Sequence, residues 1–554
     1  MKFLGTTCIS ISALFMAGCV TRNQEPPQRL PAVSPLPSYS ISSQGEIAAR
    51  PWWESFERPA LTSLIEQSLA QNYSLAQSVA VLKQAESLAR RTGAGRKPQL
   101  NLEGNGSQDW EDGDSQRGSA EAGLALAWEV DVWNRVVSAA QADRLEAQAR
   151  AADVEALQLS LSAAVANSYF GAVAARERLE LLNAQVTLDR ELERLLQLRL
   201  DNGVGTNVDV LQQQVRVAES ETLIPVAESQ WAVFENRLDV LLGQTPDAKP
   251  RVANGESLDF DRALPSIGVP ASLLLNRPDL RSAYSELVAA DHEIAAAIAD
   301  RFPNIVLGAS LLYSDDSNFT GSVFTLAASF VQPLLDWGAR KAEVQRNEAL
   351  YEQRLAAFTQ LFLEAVESVE NALVREAKQS EFLQKLAKQQ DLLQRTVNAA
   401  ERRYTQGIDD YQPVISALQE LRAVERNMIT AKLDLLAIRI ELFRAIGGPV
   451  RSNHSAALQP AAALQDPNTP AGQLPVGLSL ATRRVSSILQ NHHIVSAKLF
   501  KQPNKLPTPL PSRVAACCRP QCNPVYQQDA VWTKVQPYYD STYWTVSKGY
   551  AVAG

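Results

Sequence analysis

Two hydrophobic periods alternate along this chain. Apolar or small residues recur at 4-3 spacing through Leu161, Val165, Ser168, Ala172, Ala175, Leu179, Leu182 and Val186, the pattern of a helix packed along one seam. The surrounding stretch Asn134–Asn202 runs 69 residues without a proline and with Gly171 as its only glycine. A helix of that length is ~100 Å long, too long to fold back into an ordinary globule. Gly203 stops it, and Thr206-Asn207-Val208-Asp209 restarts a helix that reaches Leu242 and is expected to kink at Pro225. Leu61–Gly93 reads as a further helix, ended by glycines and Pro98. The charged run Asp189-Arg190-Glu191-Leu192-Glu193-Arg194 implies long helices that meet water on more than one side.

Between the helices the period drops to two. Four segments of membrane-strand length, about ten residues each, lie at 100–108, 120–130, 305–313 and 322–331. Ile305, Leu307, Ala309, Leu311 and Tyr313 alternate onto one face, as do Phe324, Leu326, Ala328 and Phe330, and Leu124, Leu126 and Trp128. Trp128, Trp133, Tyr313 and Trp337 near the strand ends suit an interfacial aromatic girdle. Four strands cannot close a barrel, and an open sheet edge cannot sit in lipid. Several copies must therefore pool their hairpins; the pattern alone permits dimers, trimers or tetramers.

The halves repeat each other about 204–205 residues apart. Arg96-Lys97-Pro98 matches Arg301-Phe302-Pro303, and Asp131-Val132-Trp133-Asn134 matches Asp336-Trp337-Gly338. Arg199–Gly203 matches Arg403–Gly407, and Leu242-Gly243 matches Ile446-Gly447. The second half accordingly predicts long and short helices over Gly338–Gln406 and Asp410–Ile446.

The N-terminus adds a destination. Lys2 precedes an apolar stretch to Ala17, too short to span a bilayer, and Met16-Ala17-Gly18-Cys19 resembles the bacterial lipoprotein box. The expectation is a signal peptide over 1–18 and a covalent lipid on Cys19; Val20, in place of an aspartate, favours the outer membrane. One lipid chain binds weakly, so a second attachment to outer-membrane lipid is expected.

Domain boundaries follow: a lipid-anchored segment 19–60, a first repeat 61–246, a linker 247–270, a second repeat 271–449 and a Pro-rich extension 450–554, expected to be disordered. That extension clusters Cys517, Cys518 and Cys522, at spacings that match no standard zinc site. A net charge of −8 disfavours nucleic acid as a partner. Only His292 among the four histidines lies inside the repeats, and no nucleophile constellation or phosphate loop is present there. Neither catalysis, a bound metal nor a cofactor is expected.

The stretches Pro51-Trp52-Trp53-Glu54-Ser55-Phe56, Arg277-Pro278-Asp279-Leu280-Arg281, Arg301-Phe302-Pro303-Asn304-Ile305, Pro333-Leu334-Leu335-Asp336-Trp337-Gly338 and Arg403-Tyr404-Thr405-Gln406-Gly407 resemble the TolC-like outer-membrane efflux factors. The similarity is to the lipoprotein branch serving resistance-nodulation-division (RND) pumps, over about residues 45–450. The resemblance implies a mostly α fold with transmembrane β: a homotrimer whose 12-stranded outer-membrane barrel continues into a periplasmic 12-helix α-barrel. It implies a periplasmic adaptor and an inner-membrane pump as partners, and a passive exit channel for small toxic compounds. It also implies closure at the periplasmic tip, where Asp209, Asp409 and Asp410 are candidate gate residues; Ser416 stands where related channels often carry a gate aspartate. Competing readings are a type I protein secretion channel and a non-channel coiled-coil lipoprotein.

Overall fold

The computed structural model describes residues 38–40, 50–108, 110–111, 114–115, 118–261, 263–265, 267–315 and 320–450. Cys19, the signal segment and the cysteine cluster of the extension lie outside the described residues.

Each half contains one helix of 67 residues, α3 (Arg135–Asp201) and α6 (Ala339–Thr405). Shorter helices flank them: α1 (Pro59–Gln71), α2 (Tyr73–Ala94) and α4 (Asn207–Leu241) in the first half, α5 (Pro278–Ala299) and α7 (Gln412–Ala445) in the second. The 4-3 seam on α3 is packed: Leu161, Val165, Ser168, Ala172, Ala175, Leu182 and Val186 are all buried. Gly171 lets α4 approach, because a methyl group there would overlap the Phe234 ring.

One expectation fails locally. The helix over Leu61–Gly93 is two helices, because Asn72 turns extended (ψ 126°) and its Oδ1 accepts from the backbone N–H of Ser74 and Leu75. This caps α2 and redirects the chain. Pro225 lies inside α4, which runs on to Leu241 as expected.

The break at Asn72 has a purpose in the architecture. Its Nδ2 donates to the Leu241 carbonyl at 3.0 Å, and Ser68 Oγ donates to the same oxygen at 2.7 Å. The end of α4 thus meets the start of α2, and orphan helix-end groups are satisfied across the joint. The second half repeats it: Arg277 Nη1 at the start of α5 donates to the Ala445 carbonyl at the end of α7, 3.0 Å away. Two short helices stacked end to end therefore run beside each long one.

The strands β1 (Gln99–Ser107), β2 (Ser119–Glu129), β3 (Asn304–Asp315) and β4 (Thr320–Val331) form one antiparallel sheet in the order β1-β2-β3-β4. The register pairs Leu102 with Leu124, Leu124 with Leu311, and Leu311 with Phe324. Opposed residues share a face.

The main core lies at mid-length of the long helices. There Trp52 stacks on Phe443 at 5.5 Å, and its indole N–H donates to Ser162 Oγ at 3.2 Å. Arg58 reaches the Asp259 carbonyl at 2.8 Å, and Arg176 the Val252 carbonyl at 2.9 Å. The linker is thereby bound as a belt against the helices.

Candidate channel wall and periplasmic tip

The sheet has two different faces. Leu100, Leu102, Leu124, Leu126, Trp128, Leu307, Leu311, Phe324, Leu326 and Phe330 share one, by the pairing register. The other carries Asn101, Glu103, Asn105, Glu121, Gly123, Ser310, Ser314, Thr325 and Ser329, interspersed with Val306, Leu312, Val323 and Val331. Leu102 is 81% exposed and Leu326 73%. A bare apolar face of this extent needs an apolar solvent. No described helix is long and apolar enough to cross a membrane. The bare apolar face of the sheet is of the kind that meets lipid, and the more polar face opposite it is of the kind that lines a lumen.

The sequence-derived aromatics fall at both ends of these strands. Trp128 is on β2 and donates to the Arg96 carbonyl at 3.2 Å. Trp133 follows β2, stacks on Phe302 at 4.9 Å and donates to the Pro303 carbonyl at 2.9 Å. Tyr313 lies near the loop end of β3 and is half exposed, whereas Trp337 between β4 and α6 is 91% exposed.

A long helix away, the chain reverses twice by the same device. Gly203 (φ 74°) and Gly407 (φ 72°) adopt the left-handed conformation. Val204 N–H bonds back to the Arg199 carbonyl, and Ile408 N–H to that of Arg403. These are paired bonds of a Schellman ending, which only glycine enters without strain. The two turns meet: Tyr404 and Tyr411 rings lie 5.1 Å apart, and the Arg199 guanidinium sits over Tyr404. Leu196, Val210, Val414 and Ile415 close a small core beneath them.

The three candidate gate acids are placed at this tip but are not equivalent. Asp209 closes a capping box with Thr206, accepting from its backbone N–H at 3.4 Å and donating its own N–H to Thr206 Oγ1 at 3.2 Å. Asp409 is held by Arg403 Nε at 2.5 Å and Nη2 at 2.9 Å. This guanidinium hydrogen bond keeps the Asp409 carboxyl below the usual carboxylate range. Asp410 is exposed, and no ion pair engages it among the described residues.

One cluster escaped the sequence reading. Asp189, taken above as part of a solvated charged run, is 1% exposed. Both its carboxylate oxygens accept from Arg422 Nη1 on α7, at 2.5 and 2.6 Å. Ser220 Oγ and Gln213 Nε2, both on α4, donate to the same carboxylate at 2.9 and 3.2 Å. Tyr411 Oη in turn donates to Gln213 Oε1 at 3.0 Å. The signal was present: stepping the 4-3 seam past Val186 lands on Asp189, and a charge at a packed seam position requires a buried partner.

Helices this long, joined end to end and continued into a sheet with one lipid-compatible face, define an outer-membrane channel subunit that reaches through the periplasm. Comparison with known proteins agrees. The outer membrane efflux protein family model matches residues 64–244 and 269–448, and the chain belongs to that family. The pyoverdine export outer membrane protein OpmQ of Pseudomonas putida is 27% identical, covering 80% of this chain and 97% of its own length. The probable outer membrane lipoprotein SilC of Salmonella typhimurium is 27% identical, covering 79% and 98%. The solved outer-membrane channel OprN superposes with a TM-score of 0.68 at 26% identity, covering 75% of this chain and 97% of its own. The protein is an outer-membrane exit channel of the kind that completes tripartite efflux systems.

Proposed function

We propose that three copies assemble into a cylinder that passively conducts small toxic compounds delivered by a periplasmic adaptor and an inner-membrane pump of the RND type. The observation that carries this reading is the four-stranded sheet with an apolar outer face and two unpaired edges, β1 and β4. An open edge in hydrocarbon leaves backbone donors and acceptors without partners. Three copies close twelve strands, within the range of bacterial barrels.

The small and polar lumen face argues for conduction with little selectivity. Such a channel consumes no fuel and needs no catalytic group; the pump supplies the free energy. Closure resides at the tip, where Asp410, with Asp209 and Asp409 behind it, forms an acidic ring once three copies meet. Cys19 carries the lipid that holds the N-terminal segment at the membrane, and the aromatics Trp128, Trp133, Tyr313 and Trp337 mark its two interfaces.

Deleting the gene and surveying susceptibility to antibiotics, dyes, detergents and metal ions tests the assignment. Increased sensitivity to several small compounds, restored by the intact gene, supports it; loss of a secreted protein with unchanged susceptibility overturns it. Cys19→Ser abolishes labelling by a fatty-acid analogue if the lipid is there.

A further inference from the structure

One cavity in the helical wall has no part in the architecture described above. It measures about 760 Å³ and is walled by three neighbouring helices, with Asn167 on α3, Arg375 and Phe382 on α6, and Asp434, Glu441 and Arg444 on α7. Sites for drug-sized molecules run to ~300–1,000 Å³.

Two helices show independently which way it opens. On α7, Arg439 turns to the linker belt and donates to the Ala263 carbonyl at 2.9 Å. Ala437 and Glu441, two residues to either side of Arg439, both line the cavity, and a step of two along a helix turns ~200°. On α3, Arg176 reaches the belt at the Val252 carbonyl, 2.9 Å away. Asn167 lies nine residues earlier, about two and a half turns, and is exposed between the buried Ala166 and Ser168. The cavity therefore faces away from the belt. Belts and their aromatic cores inside a ring of helices would plug it. The belt lies outside, and the cavity opens on the tunnel, midway along the long helices.

Its charges are unevenly satisfied. Arg375 Nη1 donates to Glu441 Oε2 at 2.9 Å, and Lys378, also in the wall, donates to Glu381 at 3.1 Å. No ion pair engages Asp434 or Arg444 among the described residues. These two stand ten residues apart on one face of α7, ~15 Å along its axis. Loss of water to the surrounding wall raises the Asp434 carboxyl above the usual carboxylate range, with no cation set against it. Between the two ends α7 presents Ala437 and Ile438, and α6 adds the ring of Phe382, 49% exposed.

We infer that this cavity is a cargo subsite for flat amphoteric molecules, which place an anionic end at Arg444, a protonated amine at Asp434 and an apolar body against Phe382. The Arg375–Glu441 pair cancels its own charge along one side, so the two open ends decide what binds. A molecule with a single charge gains at one end only. Asp434 and Arg444 both stay exposed to water, so each contact is worth little. That suits a conduit, where cargo must bind weakly enough to leave.

This assignment rests on the channel reading, and one set of measurements tells their failures apart. The purified full chain is recorded in planar bilayers with a biphenyl carrying a carboxylate at one para position and an aminomethyl group at the other. The methyl ester and the N-acetyl derivative of the same probe are compared with it, and calorimetry measures binding of all three to the oligomer in detergent. The probe should interrupt the current and bind several-fold more tightly than the ester, which lacks the anion, or the N-acetyl compound, which lacks the cation. Arg444→Gln should cost the probe its advantage over the ester, and Arg444→Lys should keep it. Asp434→Asn should cost the advantage over the N-acetyl compound, and Phe382→Ala should weaken all three alike. Equal binding of the three compounds, or a probe indifferent to both Arg444→Gln and Asp434→Asn, overturns the site. The expected preferences without interruption of a conducting channel overturn the cargo role. An oligomer that conducts nothing overturns the channel reading instead, and the calorimetric preferences then judge the site alone.

Discussion

Arg422 and Asp189 form a buried ion pair between α7 and α3, with the guanidinium Nη1 2.5 and 2.6 Å from the two carboxylate oxygens. One partner belongs to each half of the duplicated chain, so the pair ties two coiled coils that share no loop near it. At the corresponding positions the duplication places Leu393 and Ala218, so the tie has no counterpart in the repeat.

Breaking one side of this pair leaves a charge buried without a partner, which costs ~3–5 kcal/mol. Asp189→Leu should lower the thermal midpoint of the helical part and increase proteolysis near Gln213 and Tyr411. Arg422→Met in the same chain should recover most of the loss, because a packed apolar pair is often neutral. Circular dichroism melts of both variants check this; a single variant as stable as the parent would remove the pair from the stability of the tip.

The tip acids make separate contributions. Asp409→Ala with Asp410→Ala removes two negative charges per subunit and frees Arg403 from its partner at 2.5 Å. Single-channel conductance in planar bilayers should rise, and selectivity should move toward anions as the guanidinium becomes uncompensated. Unchanged conductance and selectivity would take both residues out of the constriction.

The Arg403 contact also sets where acid acts. Asp409 titrates below its ordinary value, so its pairing contributes fully above the unfolded pKa of ~3.9 and is lost as pH falls through the lower folded value. Conductance should stay flat from roughly pH 8 to 5 and change only below about pH 4. Arg403→Gln should move that change upward, toward ~3.9. A step near neutral pH in the parent would assign the transition to another group.

Much of this architecture is legible in the sequence because long helices and strands announce themselves by period. The 4-3 seam of α3 survives into the structure at every position but the half-buried Leu179, and the two-residue alternation of β3 survives in its register. The failures are local and chemical. Asn72 breaks a helix that the apolar pattern continues, because its side chain bonds two backbone amides and a carbonyl from a helix 169 residues away. Asp189 looks solvated in a run of charges, and only its neighbours in space, Arg422, Gln213 and Ser220, explain its burial. Asp209, Asp409 and Asp410 lie at or beside the turns, yet spacing alone does not reveal that Asp209 is occupied by Thr206 and Asp409 by Arg403.

The two faces of the sheet yield the sharpest contrast between adjacent residues. Leu326 and Thr325 are neighbours on β4, and the register sends them to opposite sides: Leu326 faces Ala309 on the apolar face, and Thr325 faces Ser310 on the polar one. An arginine on the lipid side near the bilayer midplane costs ~2–4 kcal/mol. Leu326→Arg should therefore reduce insertion and the amount of heat-resistant oligomer in outer membranes. Thr325→Arg carries the same charge on the same strand but places it in water. It should assemble normally, and a ring of such charges should lower cation conductance. Both variants are compared by membrane fractionation, unheated SDS gels and bilayer recording. If Thr325→Arg failed to assemble while Leu326→Arg assembled, the faces would be assigned the wrong way round, and the lumen would have to be lined by the leucines.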